Sequence, residues 1–174
     1  THPELVKKTQ DQIDEITIAY QTYGKLNDSG TNAVFICHAL TGNSHAAGTV
    51  CEQELANSAG QEFLLKYNKM YLHKPGWWDP MIGKGKTIDT DKYFVVCANF
   101  LGSCYGTSGP VEINGKNNQK YNMEFPSVTV RDMVRAHKLL LDKLGVKKLQ
   151  FTTGGSLGGM QVLVDSFPGN PGDN

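Results

Sequence analysis

The feature that most constrains this sequence is one serine set between glycines near the end of the chain. Ser156 has Gly154 two residues before it and Gly158 two residues after it. This Gly-x-Ser-x-Gly pattern is typical of a nucleophile elbow, a sharp, strained strand-to-helix turn that exposes the serine hydroxyl. Glycine is needed at both flanking positions because a side chain there would collide with the neighbouring strand or helix. The pattern therefore predicts that Ser156 is a nucleophile.

The residues around Ser156 supply the strand and the helix that such a turn requires. The apolar run 148–153 predicts a buried strand, and residues 160–164 predict the opening of a helix. The amide of Leu157 then lies at a helix N-terminus, where it can donate to a developing oxyanion. A flexible glycine-rich turn is the alternative interpretation. Neither this stretch nor residues 83–86 has the glycine spacing of a dinucleotide fingerprint or a P-loop.

Composition and charge narrow the class of protein. The chain has 174 residues, of which 39% are hydrophobic, and this predicts one domain with a substantial core. Because the formal net charge is zero, the sequence lacks the electrostatic footprint of a nucleic-acid or anionic-membrane binder. No apolar run reaches the ~18 residues that cross a bilayer, and no secretory signal is visible at the N-terminus.

The cysteines favour a reducing compartment. Cys37, Cys51, Cys97 and Cys104 show no Cys-x-x-Cys pairing, and two of them lie inside apolar, strand-like runs. Reduced, buried thiols are the simpler interpretation, and they predict a cytoplasmic or organellar-matrix protein. Since no His, Asp and Glu cluster has ligand spacing either, we expect no metal site.

The order of the predicted elements indicates an α/β fold. Strands are predicted at 16–23, 33–38, 93–99 and 148–153, and helices at 129–144 and from residue 160 onward. The second and third strands are continuous apolar runs, which are typical of parallel strands covered on both faces. The first strand alternates and should be half exposed. Strand, loop, strand, helix, strand, elbow and helix in this order predict a mainly parallel sheet.

The helix at 129–144 carries its own start and stop signals. Thr129 and Asp132 form a capping-box pattern with Asp in place of the usual Glu, and Gly145 supplies the stop. Apolar residues recur at helical spacing between these points. His137 lies on that apolar stripe, and we therefore expect it to be structural rather than catalytic.

The loop after the second strand is the predicted partner of the elbow. In enzymes with such an elbow, a second oxyanion donor comes from an amide one or two residues past the end of a neighbouring strand, and here we choose Leu40. His38 and His45 flank this loop and could act as bases. Because a histidine that ends a strand usually braces its own loop through hydrogen bonds, we expect bracing for both.

The remaining segments carry weaker patterns. Residues 1–12 are a polar lead-in, and 111–126 form a polar loop. A loose helix over Glu52–Met70, with Leu55, Ala59, Phe63 and Leu64 on one side, predicts a surface insertion. The adjacent Trp77 and Trp78 should point in different directions, so that one packs inward and the other lines a cleft.

Six ordered motifs between about residues 16 and 161 together resemble one family. They are Ala19-Tyr20-Gln21-Thr22-Tyr23-Gly24, His38-Ala39-Leu40-Thr41-Gly42, Gly76-Trp77-Trp78-Asp79, Asn99-Phe100-Leu101-Gly102-Ser103-Cys104-Tyr105-Gly106 with Ser108-Gly109-Pro110, Phe125-Pro126-Ser127-Val128-Thr129-Val130-Arg131-Asp132-Met133-Val134, and Gly154-Gly155-Ser156-Leu157-Gly158-Gly159-Met160-Gln161. This set is similar to the homoserine O-acetyltransferases, which are acyltransferases with the α/β-hydrolase fold.

The resemblance implies a ping-pong acyl transfer on the route to methionine. Ser156 would take an acetyl group from acetyl-CoA and pass it to the hydroxyl of L-homoserine, with the amides of Leu40 and Leu157 as oxyanion donors. Coenzyme A enters as the acyl-donor substrate, no bound cofactor is expected, and a homodimer is possible. We predict that the substrate contacts include Thr41, Gly42, Trp78 and Asn99.

The end of the chain departs from the family pattern. The acid and the histidine of the triad follow the serine in this fold, but after Ser156 the chain offers Asp165 and Asp173 and no histidine. Pro168 and Pro171 would also end the family's helix early. Leu157 replaces a common methionine, which matters little for a backbone donor. We therefore expect a fold truncated shortly after the elbow.

On this interpretation, residues 1–174 are the N-terminal portion of a single catalytic domain, without the lid and the C-terminal triad segment. We expect negligible turnover from them alone, because a serine without a base is a weak nucleophile. Within the same chemistry, succinyl transfer or a serine or cephalosporin-type acceptor stays open. The other two hypotheses are a serine esterase on the same fold and a truncated, non-catalytic product that pairs with a partner through the sheet edge exposed after 148–153.

Overall fold

A four-stranded sheet forms the centre of the computed structural model, which describes residues 16–57 and 62–164. In chain order the elements are β1 (Tyr20–Tyr23), β2 (Ala33–Cys37), α1 (Glu52–Asn57), α2 (Glu62–Tyr71), β3 (Ile82–Gly83), β4 (Ile88–Asp89), β5 (Phe94–Ala98), β6 (Ile113–Asn114), β7 (Gln119–Lys120), a 3₁₀ turn (Asn122–Glu124), α3 (Val130–Lys143), β8 (Leu149–Gly154) and α4 (Leu157–Val162). The central sheet has the order β1-β5-β2-β8. Strands β5, β2 and β8 run parallel, and β1 pairs antiparallel with β5. The predicted, mainly parallel sheet is confirmed.

The two inner strands are buried because they are apolar on both faces. Every residue of β2 and of β5 is buried. One face of the sheet packs against α3, through a core that includes Phe35, Val96 and Leu141. The other face packs against the loop at 46–47 and the β3–β4 pair. Strand β1 alternates between exposed and half-buried residues, as its sequence predicts for an edge.

Strand β2 is the topological switch point of the sheet, because the strands that follow it in the chain lie on both of its sides. Strand β5 lies on one side of β2, and the crossover through α3 then places β8 on the other side. In open α/β sheets, the crevice outside the carboxyl ends of the strands at such a switch point is where ligands bind. The loop after β2 and the elbow after β8 both leave the sheet at this point.

Helix α3 begins and ends where the sequence predicts. The Thr129 hydroxyl accepts a hydrogen bond from the Asp132 amide at 3.3 Å, and the Asp132 carboxylate accepts one from the Thr129 amide at 3.0 Å. This is a complete capping box. After the helix, Gly145 adopts a φ of 82°, a conformation that favours glycine.

His137 is structural, as predicted. Its side chain is 1% exposed, and its ring lies 5.0 Å from the ring of Phe35. Its Nε2 atom is 3.5 Å from the carbonyl oxygen of Asn99. Burial lowers the pKa of His137 to about 4, with a smaller contribution from His38 in the same direction and an opposing one from the Asn99 hydrogen bond. The ring is therefore neutral at physiological pH.

Other segments differ from their sequence-based predictions. The polar loop at 111–126 contains the small antiparallel pair β6–β7, and the first strand is shorter than predicted. The predicted helix over 52–70 consists of α1 and α2, between which residues 58–61 lie outside the described part. Of its predicted apolar side, Leu55 is half-buried, Ala59 lies outside the described residues, and the side chains of Phe63 and Leu64 are not described. The lead-in at 1–12 and the tail at 165–174, with Asp165, Pro168, Pro171 and Asp173, also lie outside.

The four cysteines divide into two groups. Cys37 and Cys97 are buried free thiols, as predicted, whereas Cys51 and Cys104 are exposed. Burial raises the pKa of the Cys37 thiol to about 12 and also raises that of Cys97. The two buried thiols are consequently protonated and unreactive. Among the helices of the described ranges, none combines the length and apolarity of a membrane span.

The capping box of α3 yields a stability prediction. Thr129→Ala removes the acceptor for the Asp132 amide, and we expect it to lower the free energy of unfolding by about 1 kcal/mol. Thr129→Ser keeps a hydroxyl in place and should stay close to wild type. Urea unfolding of both variants measures the difference. Equal destabilisation by Ala and Ser would contradict the hydrogen bond as the source of stability.

His137 yields a prediction about pH. Its folded pKa of about 4 lies below the ordinary 6.5, so the unfolded chain binds a proton first as the pH falls. The free energy of unfolding should therefore decrease from about pH 6.5 down to about pH 4, by up to ~1.4 kcal/mol per pH unit. His137→Leu should reduce this slope without abolishing it, because the pKa of His38 is also lowered.

Urea midpoints measured across this pH range provide the test. His73→Asn is the matched control for the loss of a histidine, since the side chain of His73 is exposed at the surface, beside Glu52. Asparagine also tolerates the φ of 59° found at this position. An unaltered slope in His137→Leu would contradict the assignment of a buried, neutral ring.

Candidate active site

Ser156 occupies a strained backbone position between β8 and α4. Its φ of 56° and ψ of −125° lie in a region that residues with a side chain rarely adopt. Such a conformation costs on the order of 1–3 kcal/mol and persists only where the surrounding structure imposes it. The side chain is exposed, and its hydroxyl makes no capping hydrogen bond to α4. The strain therefore serves to present the hydroxyl at the surface, as in a nucleophile elbow.

The two glycines flanking Ser156 face the end of β2. A Cβ atom on Gly154 would lie 2.4 Å from the carbonyl oxygen of Cys37, and one on Gly158 would lie 2.1 Å from the same oxygen. Real Cβ atoms essentially never approach this closely. The predicted collision with a neighbouring strand is thus confirmed, and the partner is one carbonyl group of β2.

The amide of Leu157 is the first of helix α4. The neighbouring amides of Gly158 and Met160 donate to the carbonyl oxygens of Gly155 and Ser156, at 3.0 Å and 3.1 Å. First-turn amides have no acceptor inside their own helix, and the amide after an elbow serine faces the space where the substrate's oxygen develops charge. This placement supports the predicted donor role of Leu157.

The other predicted donor, Leu40, lies on a tight turn directly after β2. The Gly42 amide donates to the Ala39 carbonyl oxygen at 2.8 Å, so Leu40 and Thr41 form the two central positions of the turn. The side chain of Leu40 is 66% exposed, and Thr41 is exposed as well. Since Cys37 at the end of β2 pairs with Gly154 at the end of β8, the turn and the elbow leave adjacent strands at the same edge.

The buried side chain of His38 holds this turn through a hydrogen bond, as predicted. Its Nδ1 atom lies 2.8 Å from the Ala39 carbonyl oxygen, and its ring packs at 4.8 Å against the ring of Phe100. The side chain is 1% exposed. Burial lowers the pKa of His38, while hydrogen bonds to Ala39 and Asn99 act against that shift. His38 is therefore a neutral brace rather than an exposed base.

His45 is also held by hydrogen bonds at both ring nitrogens. Nε2 lies 2.9 Å from the Lys74 carbonyl oxygen, and Nδ1 lies 3.0 Å from Oε1 of Gln21. Since the carbonyl oxygen can only accept, Nε2 carries a proton. The ring connects the loop after β2 to β1 and to the chain before the tryptophans, which is the bracing role that the sequence predicts.

A set of side chains from distant parts of the chain holds residues 43–47. The Tyr23 hydroxyl accepts hydrogen bonds from the amides of Ala46 and Ala47 at 2.9 Å and 3.0 Å. The Trp77 indole donates to the Asn43 carbonyl oxygen at 2.9 Å. Sequence reasoning missed these supports, because no spacing pattern relates Tyr23 or Trp77 to a loop more than 20 residues away.

Asn99, a predicted substrate contact, is fully buried and hydrogen-bonded within the protein. Its Oδ1 accepts from the Ser44 amide at 2.7 Å, and its Nδ2 donates to the Tyr105 carbonyl oxygen at 2.6 Å. Its own carbonyl accepts from the Thr107 hydroxyl at 3.0 Å. With no exposed surface, Asn99 joins the loop after β2 to the loop after β5, and this placement does not support direct contact with a substrate.

The other predicted substrate contacts have different surroundings. Gly42 lies against His38, whose Cβ atom would be 3.0 Å from an added Cβ. Trp78 is half-buried against the core that includes Val34 and Ile36. As predicted for adjacent tryptophans, one indole packs inward, that of Trp78, whereas Trp77 is 41% exposed; the two ring centroids lie 5.2 Å apart. Of the four predicted substrate contacts, Thr41 and Gly42 are the two that lie on the turn that contains Leu40.

The described ranges contain no group of three or more His, Cys, Asp or Glu side chains placed to hold a metal ion. The chemistry available is that of an exposed serine hydroxyl on the elbow after β8, which leaves the sheet at the same edge as the turn after β2. Such an arrangement is suited to forming and stabilising a tetrahedral intermediate at a carbonyl carbon.

The glycines at the elbow yield a matched pair of variants. Gly158→Ala places a methyl group against the Cys37 carbonyl, and we expect it to destabilise the fold by about 1–3 kcal/mol and to displace Ser156. Gly155→Ala is the control, because an added Cβ there has no atom within 4 Å. Thermal unfolding of the two variants checks this difference. Similar melting temperatures would mean that the contact with β2 does not constrain the elbow.

Comparisons with known proteins agree with this geometry. A family model described as alpha/beta hydrolase fold matches residues 32–164. Homoserine O-acetyltransferase from Moorella thermoacetica is 53% identical over 156 residues, which are 90% of this chain and 37% of the relative. The enzyme of that name from Deferribacter desulfuricans is 52% identical over 151 residues, or 87% of this chain and 35% of the relative. The chain thus spans less than two fifths of these relatives.

Solved structures show the same similarity. The crystal structure of esterase E22 matches with a TM-score of 0.71 and 36% identity, over 87% of this chain and 38% of that one. Homoserine O-acetyltransferase from Bacillus anthracis matches with a TM-score of 0.66 and 35% identity, over 84% of this chain and 36% of that one. The sequence resemblance to the homoserine O-acetyltransferases is confirmed, and the chain belongs to the α/β hydrolase fold family.

Proposed function

We propose that this chain is the N-terminal portion of the catalytic domain of an acyltransferase that acetylates L-homoserine. The observation that carries the proposal is Ser156, whose φ of 56° and ψ of −125° place it on a strained elbow. The substrate assignment is supported by relatives named homoserine O-acetyltransferase, which are about half identical over some nine tenths of the chain.

The reaction proceeds in two halves. In the first, the Ser156 hydroxyl attacks the thioester carbonyl of acetyl-CoA, the carbon–sulfur bond breaks, and the thiol of coenzyme A leaves with a proton. In the second, the homoserine hydroxyl attacks the acetyl-enzyme, and the serine hydroxyl is regenerated as O-acetylhomoserine forms. Each half passes through an oxyanion, for which the amides of Leu40 and Leu157 are the donors.

The base that activates Ser156 lies outside the residues described above. Both ring nitrogens of His45 are hydrogen-bonded, Nδ1 of His38 is committed to the Ala39 carbonyl, and His137 is enclosed in the core. In this fold the acid and the histidine follow the serine along the chain. We therefore assign proton transfer to a histidine that is not part of these 174 residues. The proposal also includes assembly of the protein as a homodimer.

Substrate contacts follow from the position of the turn after β2. Thr41 is exposed at the centre of that turn, next to the Leu40 amide, so its hydroxyl can reach a ligand held at Ser156. Gly42 keeps the turn close to His38. Trp78 contributes an indole at the margin of the core.

A second candidate function is hydrolysis of simple esters. The similarity to esterase E22, with a TM-score of 0.71, is at least as high as that to the Bacillus anthracis acetyltransferase. Both reactions share the acyl-enzyme and differ only in whether water or an alcohol accepts the acyl group. Dependence of product release on L-homoserine therefore separates the two functions.

Acyl-enzyme formation tests the proposal directly. On exposure to acetyl-CoA, the full-length protein that contains this chain and the C-terminal triad segment should gain one acetyl group, and the modified peptide should contain Ser156. Ser156→Ala should abolish the gain completely, because no other nucleophile occupies the elbow. Intact-mass and peptide mass spectrometry make the measurement, with thermal unfolding of Ser156→Ala to establish that the variant is folded.

The acceptor is identified in a second step. Adding L-homoserine to the acetylated protein should remove the acetyl group and yield O-acetylhomoserine, whereas L-serine serves as the acceptor control. Rapid loss of the acetyl group in water alone would favour the esterase. Failure of acetyl-CoA to modify a folded wild-type protein under conditions where p-nitrophenyl acetate modifies Ser156 would overturn the acetyltransferase.

A further inference from the structure

We propose that His38 is a positioning residue that aims the Leu40 amide at the oxyanion formed on Ser156. The inference rests on the proposed function, because it concerns the same acyl-transfer site. It assigns a role in the reaction to a buried side chain that does not itself touch the substrate.

One peptide unit joins Ala39 to Leu40, and it carries both the Ala39 carbonyl oxygen and the Leu40 N–H. A peptide unit is planar and trans, so its carbonyl oxygen and its N–H point in opposite directions. Whatever fixes the direction of the Ala39 carbonyl therefore also fixes the direction of the Leu40 N–H. The hydrogen bonds to the Ala39 carbonyl oxygen therefore set the direction in which the Leu40 N–H, the oxyanion donor, points.

Two donors hold the Ala39 carbonyl oxygen. The Gly42 amide donates to it at 2.8 Å, and Nδ1 of His38 lies at 2.8 Å from it as well. The first bond closes the turn, but its donor belongs to the turn itself. The second bond comes from a side chain at the end of β2, and so it ties the peptide unit to the sheet.

The His38 ring is itself held in place. It is 1% exposed and packs at 4.8 Å against Phe100, and a Cβ atom added at Gly42 would lie 3.0 Å from the Cβ atom of His38. Because a carbonyl oxygen only accepts, Nδ1 carries the proton in this hydrogen bond. Burial lowers the pKa of His38, which keeps the ring neutral, while hydrogen bonds to Ala39 and Asn99 act against that shift. The hydrogen bond from Nδ1 to the Ala39 carbonyl oxygen is the one that reaches the turn.

Two variants of His38 distinguish the effect of losing the hydrogen bond to Ala39 from the effect of losing the imidazole ring. In His38→Asn, the amide nitrogen can occupy the place of Nδ1 and donate to the Ala39 carbonyl oxygen. In His38→Gln, the amide nitrogen corresponds to the place of Nε2, from which it does not reach that oxygen. Both variants are polar and smaller than or similar to histidine, so they form a matched pair. Thermal unfolding of both establishes that they are folded.

The kinetic test uses the full-length protein, which includes the C-terminal triad segment, because residues 1–174 alone lack the base. It follows acylation of Ser156 by acetyl-CoA and, separately, by p-nitrophenyl acetate, in wild type and both variants. Loss of a whole oxyanion donor lowers kcat by roughly 100- to 1,000-fold, and a misdirected one should lower it by roughly 10- to 100-fold. We expect this loss for His38→Gln with KM changed less than about threefold. His38→Asn should retain a rate within about threefold of wild type. Equal rates in both variants, whether high or low, would overturn the positioning role.

A second measurement does not depend on activity. Nitrogen-15 spectra of the histidine rings report which nitrogen carries the proton, and His38 should be the Nδ1–H tautomer with a protected Gly42 amide. An Nε2–H tautomer would overturn the inference whatever the kinetics show. If acetyl-CoA fails while p-nitrophenyl acetate acylates Ser156 with the expected pattern of variants, the acetyltransferase assignment fails and the role of His38 stands. If neither donor acylates wild type, both fail.

Discussion

One carbonyl group at the end of β2 determines how closely the elbow can approach the sheet. The positions of Gly154 and Gly158 both lie against the Cys37 oxygen, at distances that exclude any side chain. This contact forces the chain between the two glycines outward, and Ser156 takes the resulting strained conformation. The exposed hydroxyl is thus a consequence of close packing beneath it. Packing in the interior and chemistry at the surface are set by the same few atoms.

The turn after β2 is also held in place by buried groups, but through hydrogen bonds rather than through close packing. Its central residues are exposed, but each end is bound to a buried side chain, His38 on one side and Asn99 through the Ser44 amide on the other. A short exposed turn between two fixed ends has little conformational freedom left to lose when a transition state forms. Preorganisation of this kind is the usual source of oxyanion stabilisation.

The parts of this structure that could be predicted from the sequence are those that depend on neighbouring residues. Burial of β2 and β5, the capping box at Thr129 and the need for glycine at 154 and 158 all follow from local patterns. The pairs β3–β4 and β6–β7 were not predicted, because two-residue strands contain no period to detect.

The internal hydrogen bonds of Asn99 could not be predicted for a different reason. A polar residue at the end of a strand next to a small-residue loop is typical both of a ligand contact and of an internal brace. Only the tertiary structure shows that both ends of its amide are already bound, to Ser44 and Tyr105. The contact between the indoles of Trp77 and Trp78 is likewise set by the surrounding core rather than by their order in the chain.

The hydrogen bonds that hold the loops after β2 and β5 have one further consequence, for the order in which the protein folds. The Ser44 amide and Asn99 are 55 residues apart in the chain, Ala19 and Thr107 are 88 apart, and Thr17 and Ser108 are 91 apart. Contacts of such high sequence separation form only after the entropy of closing long loops has been overcome. The capping box and the backbone hydrogen bonds of helix α3, by contrast, join residues within one turn of each other. We therefore expect these loops to be among the last regions of the molecule to become ordered during folding, and the first to become disordered during unfolding.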